Sequence, residues 1–115
     1  MLHINIIITS IKPFIMKIIG HRFLVDFGAK AVLDIQSQTS LTFTITEMDG
    51  KPMNETETVE IQLTELRPDI YMATWKEKNG NTVTQIQDHE KGDVYMNWTL
   101  PDGQFKHAKG TLRPA

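Results

Sequence analysis

An aspartate and a tyrosine, Asp88 and Tyr71, are the residues of this chain whose placement could support chemistry, and the turns around them decide where they point. If "NG" at Asn79 and Gly80 is a two-residue hairpin loop, Lys78 pairs with Asn81. Counting outward then sets Trp75 opposite Thr84, Ala73 opposite Ile86 and Tyr71 opposite Asp88. If "EKG" and "PDG" are three-residue loops with glycine in the left-handed position, Ile86 faces Met96, Thr84 faces Trp98 and Met96 faces Ala108. This register predicts an inward face of Tyr71, Ala73, Trp75, Thr84, Ile86, Asp88, Val94, Met96 and Trp98. It turns Gln85, Gln87, His89, Tyr95, Asn97, Phe105, His107 and Lys109 outward. Because side chains alternate, a slip of one residue would reverse a whole strand.

A carboxylate on an apolar face needs a partner or it protonates. In the functional reading, Asp88 and Tyr71 form the polar end of a pocket and orient a hydroxyl, amine or carbonyl. Trp75, Trp98, Met96, Ile86 and Phe43 would enclose the ligand's apolar body. In the structural reading, Asp88 takes a hydrogen bond from Tyr71 or from turn backbone, and the tryptophans are simply core. The small residues Ala73, Ala108 and Gly110 beside the tryptophans favour an open volume. Outward histidines lose their claim to catalysis. No HxH or HExxH spacing, nucleophile elbow, phosphate loop or dinucleotide fingerprint occurs, so neither a metal nor a cofactor is expected.

These residues need walls to hold them. From Gly20 onward, turn-forming clusters separate runs of Thr, Val, Ile and aromatics. The runs are Lys17 to Phe27, Lys30 to Gln36, Ser40 to Glu47, Glu57 to Leu66, Asp69 to Glu77, Asn81 to Glu90, Asp93 to Leu100 and Gln104 to Leu112. Loops this short join antiparallel neighbours, and eight strands suffice for closure around side chains or one small ligand. The expected fold is all-β, an eight-stranded antiparallel up-and-down barrel of lipocalin-like form. Leu41, Phe43 and Ile45, and Val59, Ile61 and Leu63, supply apolar faces. In the first strand Phe23, Val25 and Phe27 are favoured for the interior, with Arg22 at a rim.

With 115 residues, 40% hydrophobic and 23% charged, the chain suits one globular domain. A net charge of -2 with scattered Lys and Arg argues against nucleic acid. Zero cysteines exclude disulfides and thiolate chemistry and fit the cytoplasm. The apolar opening "MLHINIIITSIKPFIM" has no basic leader and no cleavage pattern, and it is too short to span a bilayer, so no membrane association is expected. Residues 1–15 read as an extension, or as an added strand from Ile4 to Thr9 that pairs with a sheet edge or a second chain. Residues 16–115 read as the barrel domain. The sequons at Asn54 and Asn97 are coincidental without secretion.

The run "IYMATWKEKNGNTVTQIQDHEKGDVYMNWTLPDGQFKHAKGTL" resembles the calycin-type MoaF-like domain family, which takes its name from a molybdenum-cofactor-biosynthesis gene cluster. The resemblance is carried by the Trp of "ATW", "NGNTVT", the Asp of "QIQD" and "NWTLPDGQF...GTL". It extends weakly into "GHRFLVDFGAKAVLDIQSQTSLTFTI", covering roughly Gly20 to Leu112. It implies a small lipocalin-like barrel and no particular reaction. Similar barrels include phenolic acid decarboxylases, which use lumen tyrosines and acidic residues. This chain offers Tyr71, Asp88 and Arg22 but no second lumen tyrosine and no lumen glutamate, so a decarboxylase assignment is not carried over. Three functions follow in order: a barrel binding a small hydrophobic or aromatic molecule; a lyase or isomerase built on the Asp88 and Tyr71 pair; and a homo-oligomeric interaction module, a homodimer in its simplest form.

Overall fold

Turn chemistry places eight strands, and a computed structural model describes them over residues 16–115. They are β1 (His21–Asp26), β2 (Lys30–Ile35), β3 (Ser40–Met48), β4 (Lys51–Arg67), β5 (Ile70–Lys76), β6 (Thr82–Asp88), β7 (Asp93–Thr99) and β8 (Phe105–Pro114). Each pairs antiparallel with the next, and β8 returns to β1, closing the barrel. The all-β up-and-down reading holds. The expected extension 1–15, with its candidate strand Ile4 to Thr9, lies outside the described residues.

Two boundaries differ for local reasons. "MDGKPMN" is not a broad loop. Asp49 (φ 53°) and Gly50 (φ 76°) both occupy the left-handed region, making a two-residue turn that pairs Met48 with Lys51. β4 therefore starts at Lys51 instead of Glu57. At the other end of the chain, Lys17 to Gly20 form a turn, not the start of the first strand. That turn carries Met16 and Ile18 into the core, and the Gly20 N–H donates to the Ile35 carbonyl at 2.7 Å. It closes one end of the barrel.

The interior is built from alternate residues. Val25, Leu33, Ile35, Leu41, Ile61, Leu63, Tyr71, Ala73 and Val94 are almost fully buried, and each large aliphatic side chain there contributes about 1.5–3 kcal/mol relative to exposure. Phe23 and Val25 point inward as expected. On the outer surface of the β3 and β4 pair, hydroxyls bridge Thr42 to Thr58 at 2.6 Å and Thr44 to Thr56 at 3.0 Å. Such pairs add only about 0.2–1 kcal/mol each, so burial of the opposite face sets the register.

Closure needs β8 and β1 to approach closely. Val25 pairs with Leu112 and Asp26 with Thr111. A Cβ on Gly110 would collide with the Asp26 carbonyl and lie 2.8 Å from Phe27 Cα. Gly110 is therefore a backbone-contact residue and does not open lumen volume beside the tryptophans. Gly110→Val should lower stability by about 3 kcal/mol, read as a reduced urea midpoint. A variant as stable as the parent would show that the β1 and β8 seam can relax.

Candidate functional site

The side on which β6 presents its residues decides what the lumen contains. The loop after β5 has three residues, not two. The Glu77 N–H donates to the Asn81 carbonyl at 2.8 Å, and the Gly80 N–H donates to the Glu77 carbonyl at 2.9 Å. Gly80 sits at φ 95°, and Asn79 Oδ1 accepts from the Asn81 N–H at 2.9 Å. Trp75 is therefore opposite Val83, Ala73 opposite Gln85, and Tyr71 opposite Gln87. The next loop is one residue longer than expected, because Asp88 pairs with Asp93. The two differences cancel, so Val94, Met96 and Trp98 keep their inward side while β6 alone is reversed.

This corrects the reading of Asp88 and Ile86. Both face outward, as does Thr84. Asp88 Oδ1 accepts from the Glu90 and Lys91 N–H groups at 3.0 and 2.9 Å, which is the turn-backbone role. It does not meet Tyr71. Tyr71 is 1% exposed and lies beneath the lumen, where burial pushes its phenol above the ordinary value and Glu65 adds to the effect.

Gln85 and Gln87, expected outside, are wholly buried, and His89 continues their row inward. Gln87 Nε2 donates to Gln85 Oε1 at 2.6 Å, and Gln87 Oε1 lies 2.8 Å from His89 Nε2. A carbonyl oxygen only accepts, so Nε2 carries the hydrogen of neutral His89. The imidazole packs edge-on to Phe23, with centroids 4.6 Å apart, and to Tyr71 at 5.7 Å. Burial lowers its pKa, opposed by Asp69 and Asp88. Buried amides without partners would be costly; linked in a row, they form a polar seam through an apolar wall.

Above this seam lies a cavity of about 270 Å³. Phe27, Phe43, Trp75, Met96 and Trp98 line it, with Gln85 among them and Glu55, Glu57 and Glu77 toward the loop end. Phe43 stacks on Trp75 with centroids 6.4 Å apart, and Phe27 meets Trp98 edge-on at 6.0 Å. The Trp75 indole N–H donates to Glu77 Oε2 at 3.2 Å, and the Lys78 N–H donates to Glu57 Oε2 at 2.8 Å. Burial raises the Glu77 pKa, and negative Glu57 and Glu55 push the same way; hydrogen bonds from Trp75 and Asn81 oppose them.

Of the residues singled out from the sequence, Trp75, Trp98, Met96 and Phe43 meet at this cavity, while Tyr71, Ile86 and Asp88 do not. The glutamines and glutamates were missed. The signal for the glutamines was the period-two row Gln85, Gln87, His89, which reads as a surface until the loop length is known. His107, Lys109 and Phe105 are exposed, as expected.

Fold and cavity define a closed antiparallel β-barrel with an aromatic lumen open at one end. The chain belongs to the MoaF-like family, whose model matches residues 19–113. Among solved structures it is similar to a "putative beta-lactamase" from Burkholderia vietnamiensis, with TM-score 0.78 and 24% identity over 86% of this chain and 96% of that one. That likeness shows the fold. No curated protein matches the sequence.

A lowered imidazole pKa means that the folded chain binds fewer protons than the unfolded chain below the ordinary value near 6.5. His89 therefore contributes stability that is present above that value and lost as pH falls through the lowered one. His89→Gln should flatten the decline in urea midpoint between about pH 7 and about pH 5. An unchanged slope would assign the decline to other groups.

Proposed function

We propose that this protein is a small-molecule-binding barrel that holds an apolar or aromatic ligand between Trp75, Trp98, Met96 and Phe43. The observation that carries this reading is the cavity itself, about 270 Å³ with an aromatic lining and one open end. Its size lies just below the roughly 300–1,000 Å³ of drug-sized pockets, which suits a ligand of one or two rings. Tyr71 supports the floor from outside the cavity, and Asp88 and Ile86 have no part in binding.

The lyase or isomerase reading loses its support, since Asp88 and Tyr71 do not meet across the lumen. Hydrolysis of the kind the Burkholderia protein's description names is not proposed either. Among the described residues lining the cavity there is no Ser, Thr, Cys or His to act as nucleophile or paired base. The absence of cysteine supports a cytoplasmic setting. Among the described residues no helix is long and apolar enough to cross a membrane.

Neutral one- and two-ring aromatics such as 2-phenylethanol, indene and naphthalene should change tryptophan fluorescence saturably. Trp98→Ala should weaken binding by about tenfold. Ala31→Phe, which fills the lumen, should abolish binding while the β-sheet circular dichroism persists. Absence of saturable binding by the whole panel would overturn the proposal.

A further inference from the structure

We infer that the ligand is an amphiphilic ammonium ion, an alkyl- or arylalkylamine whose apolar body fills the lumen and whose charge rests among Glu55, Glu57 and Glu77. This inference rests on the binding reading and names its ligand class.

The inward row of β4 runs Glu55, Glu57, Val59, Ile61 and Leu63 and reaches Glu65 at the far end, so from the cavity mouth to its depth the strand turns from exposed Glu55 and half-buried Glu57 to buried apolar residues. Glu77 extends the inward row of β5 above Trp75 in the same way. Two of these carboxylates are held in place, Glu57 by the Lys78 N–H and Glu77 by the Trp75 indole. Among the described residues none has a cation of its own. Among the described residues, the ion pairs are Lys17 with Asp69 and Lys30 with Glu47. Fixed like charges at the rim of a low-dielectric cavity are relieved by a positive ligand and aggravated by a negative one, so carboxylates and phosphates are disfavoured. The Glu77 pKa is raised chiefly by burial, and repulsion from Glu57 and Glu55 adds to it.

A second observation, independent of the glutamates, lies deeper in the site. Gln85 is 1% exposed and borders the cavity. Its carbonyl is taken by Gln87, and among the described residues its amide N–H groups have only the Met96 thioether at 3.5 Å, a weak acceptor. A buried donor left this poorly satisfied calls for an acceptor from the occupant, such as an oxygen or the face of a ring. Aromatic faces at Phe43, Trp75 and Trp98 add attraction for a cation near the rim. A bare metal ion fits poorly. Among the described residues no three His, Asp or Glu side chains converge to hold one, and it would leave the apolar cavity unused.

The test compares three probes with one body: 2-phenylethylamine, 2-phenylethanol and 3-phenylpropanoate, titrated by calorimetry near neutral pH in low salt. The amine should bind about tenfold more tightly than the alcohol, and the carboxylate most weakly. Added salt should erode the amine's advantage, and a Glu57→Gln, Glu77→Gln double variant should bring the amine-to-alcohol ratio close to one. Equal affinities in the parent chain, or a preference surviving the double substitution, would overturn the amine inference while leaving the binding reading intact. If the alcohol, the amine and the neutral aromatics all fail to bind, both readings fall together.

Discussion

The Glu77 N–H reaches the Asn81 carbonyl across three loop residues, and the character of the lumen depends on that closure. Gly80 at positive φ completes the loop without the strain a side chain would carry there. With this closure, β6 turns Val83, Gln85 and Gln87 to the interior and leaves Thr84, Ile86 and Asp88 outside. A two-residue loop would give the interior an aspartate and an isoleucine instead of a linked pair of amides. Hydrophobicity alone favours Ile86 inside. The loop geometry and the hydrogen bonds through Gln85, Gln87 and His89 outweigh it, because those bonds offset most of the cost of burying the row, with only the Gln85 amide N–H groups poorly matched, and the outer face of a barrel tolerates an isoleucine.

The barrel is graded along its axis. At the closed end, Phe23 and Tyr71 meet the His89 ring edge-on, and both belong to the apolar cluster that includes Met16, Ile18, Ile35, Leu41 and Leu63. At the open end the inward positions become aromatic and then acidic, and side chains no longer fill the space. The same alternation that makes a core at one end makes a container at the other. Gly110 contributes to the seam and not to the container, since its missing side chain lets the β1 backbone approach β8.

The opposing halves of the gradient explain why an amphiphile suits the site better than either a hydrocarbon or an ion. An apolar body gains from leaving water against Phe43, Trp75, Met96 and Trp98. Glu77 has already lost part of its hydration, and none of the three glutamates has a cation beside it among the described residues. A ligand carrying both features would relieve both conditions at once.

The all-β character, the number of strands, their antiparallel order and the inward aliphatic rows were legible in the sequence, because turn residues and period-two hydrophobicity are local properties. Trp75, Trp98, Met96 and Phe43 were legible as lumen residues for the same reason. The side of β6 was not. Its two flanking loops each differ by one residue from the shorter alternative, and the errors compensate at β7, so the neighbouring strands carry no trace of them. The acidic mouth was hidden too, since Glu55 lies outside the expected strand, while Glu57 and Glu77 stand at strand ends, where no apolar alternation marks the inward side. Sequence by itself determined that this chain closes into a barrel with a greasy lining. Only the tertiary structure decided which polar groups enter it, because that choice is made by loop hydrogen bonds and cross-strand closure between residues whose own preferences fit either face.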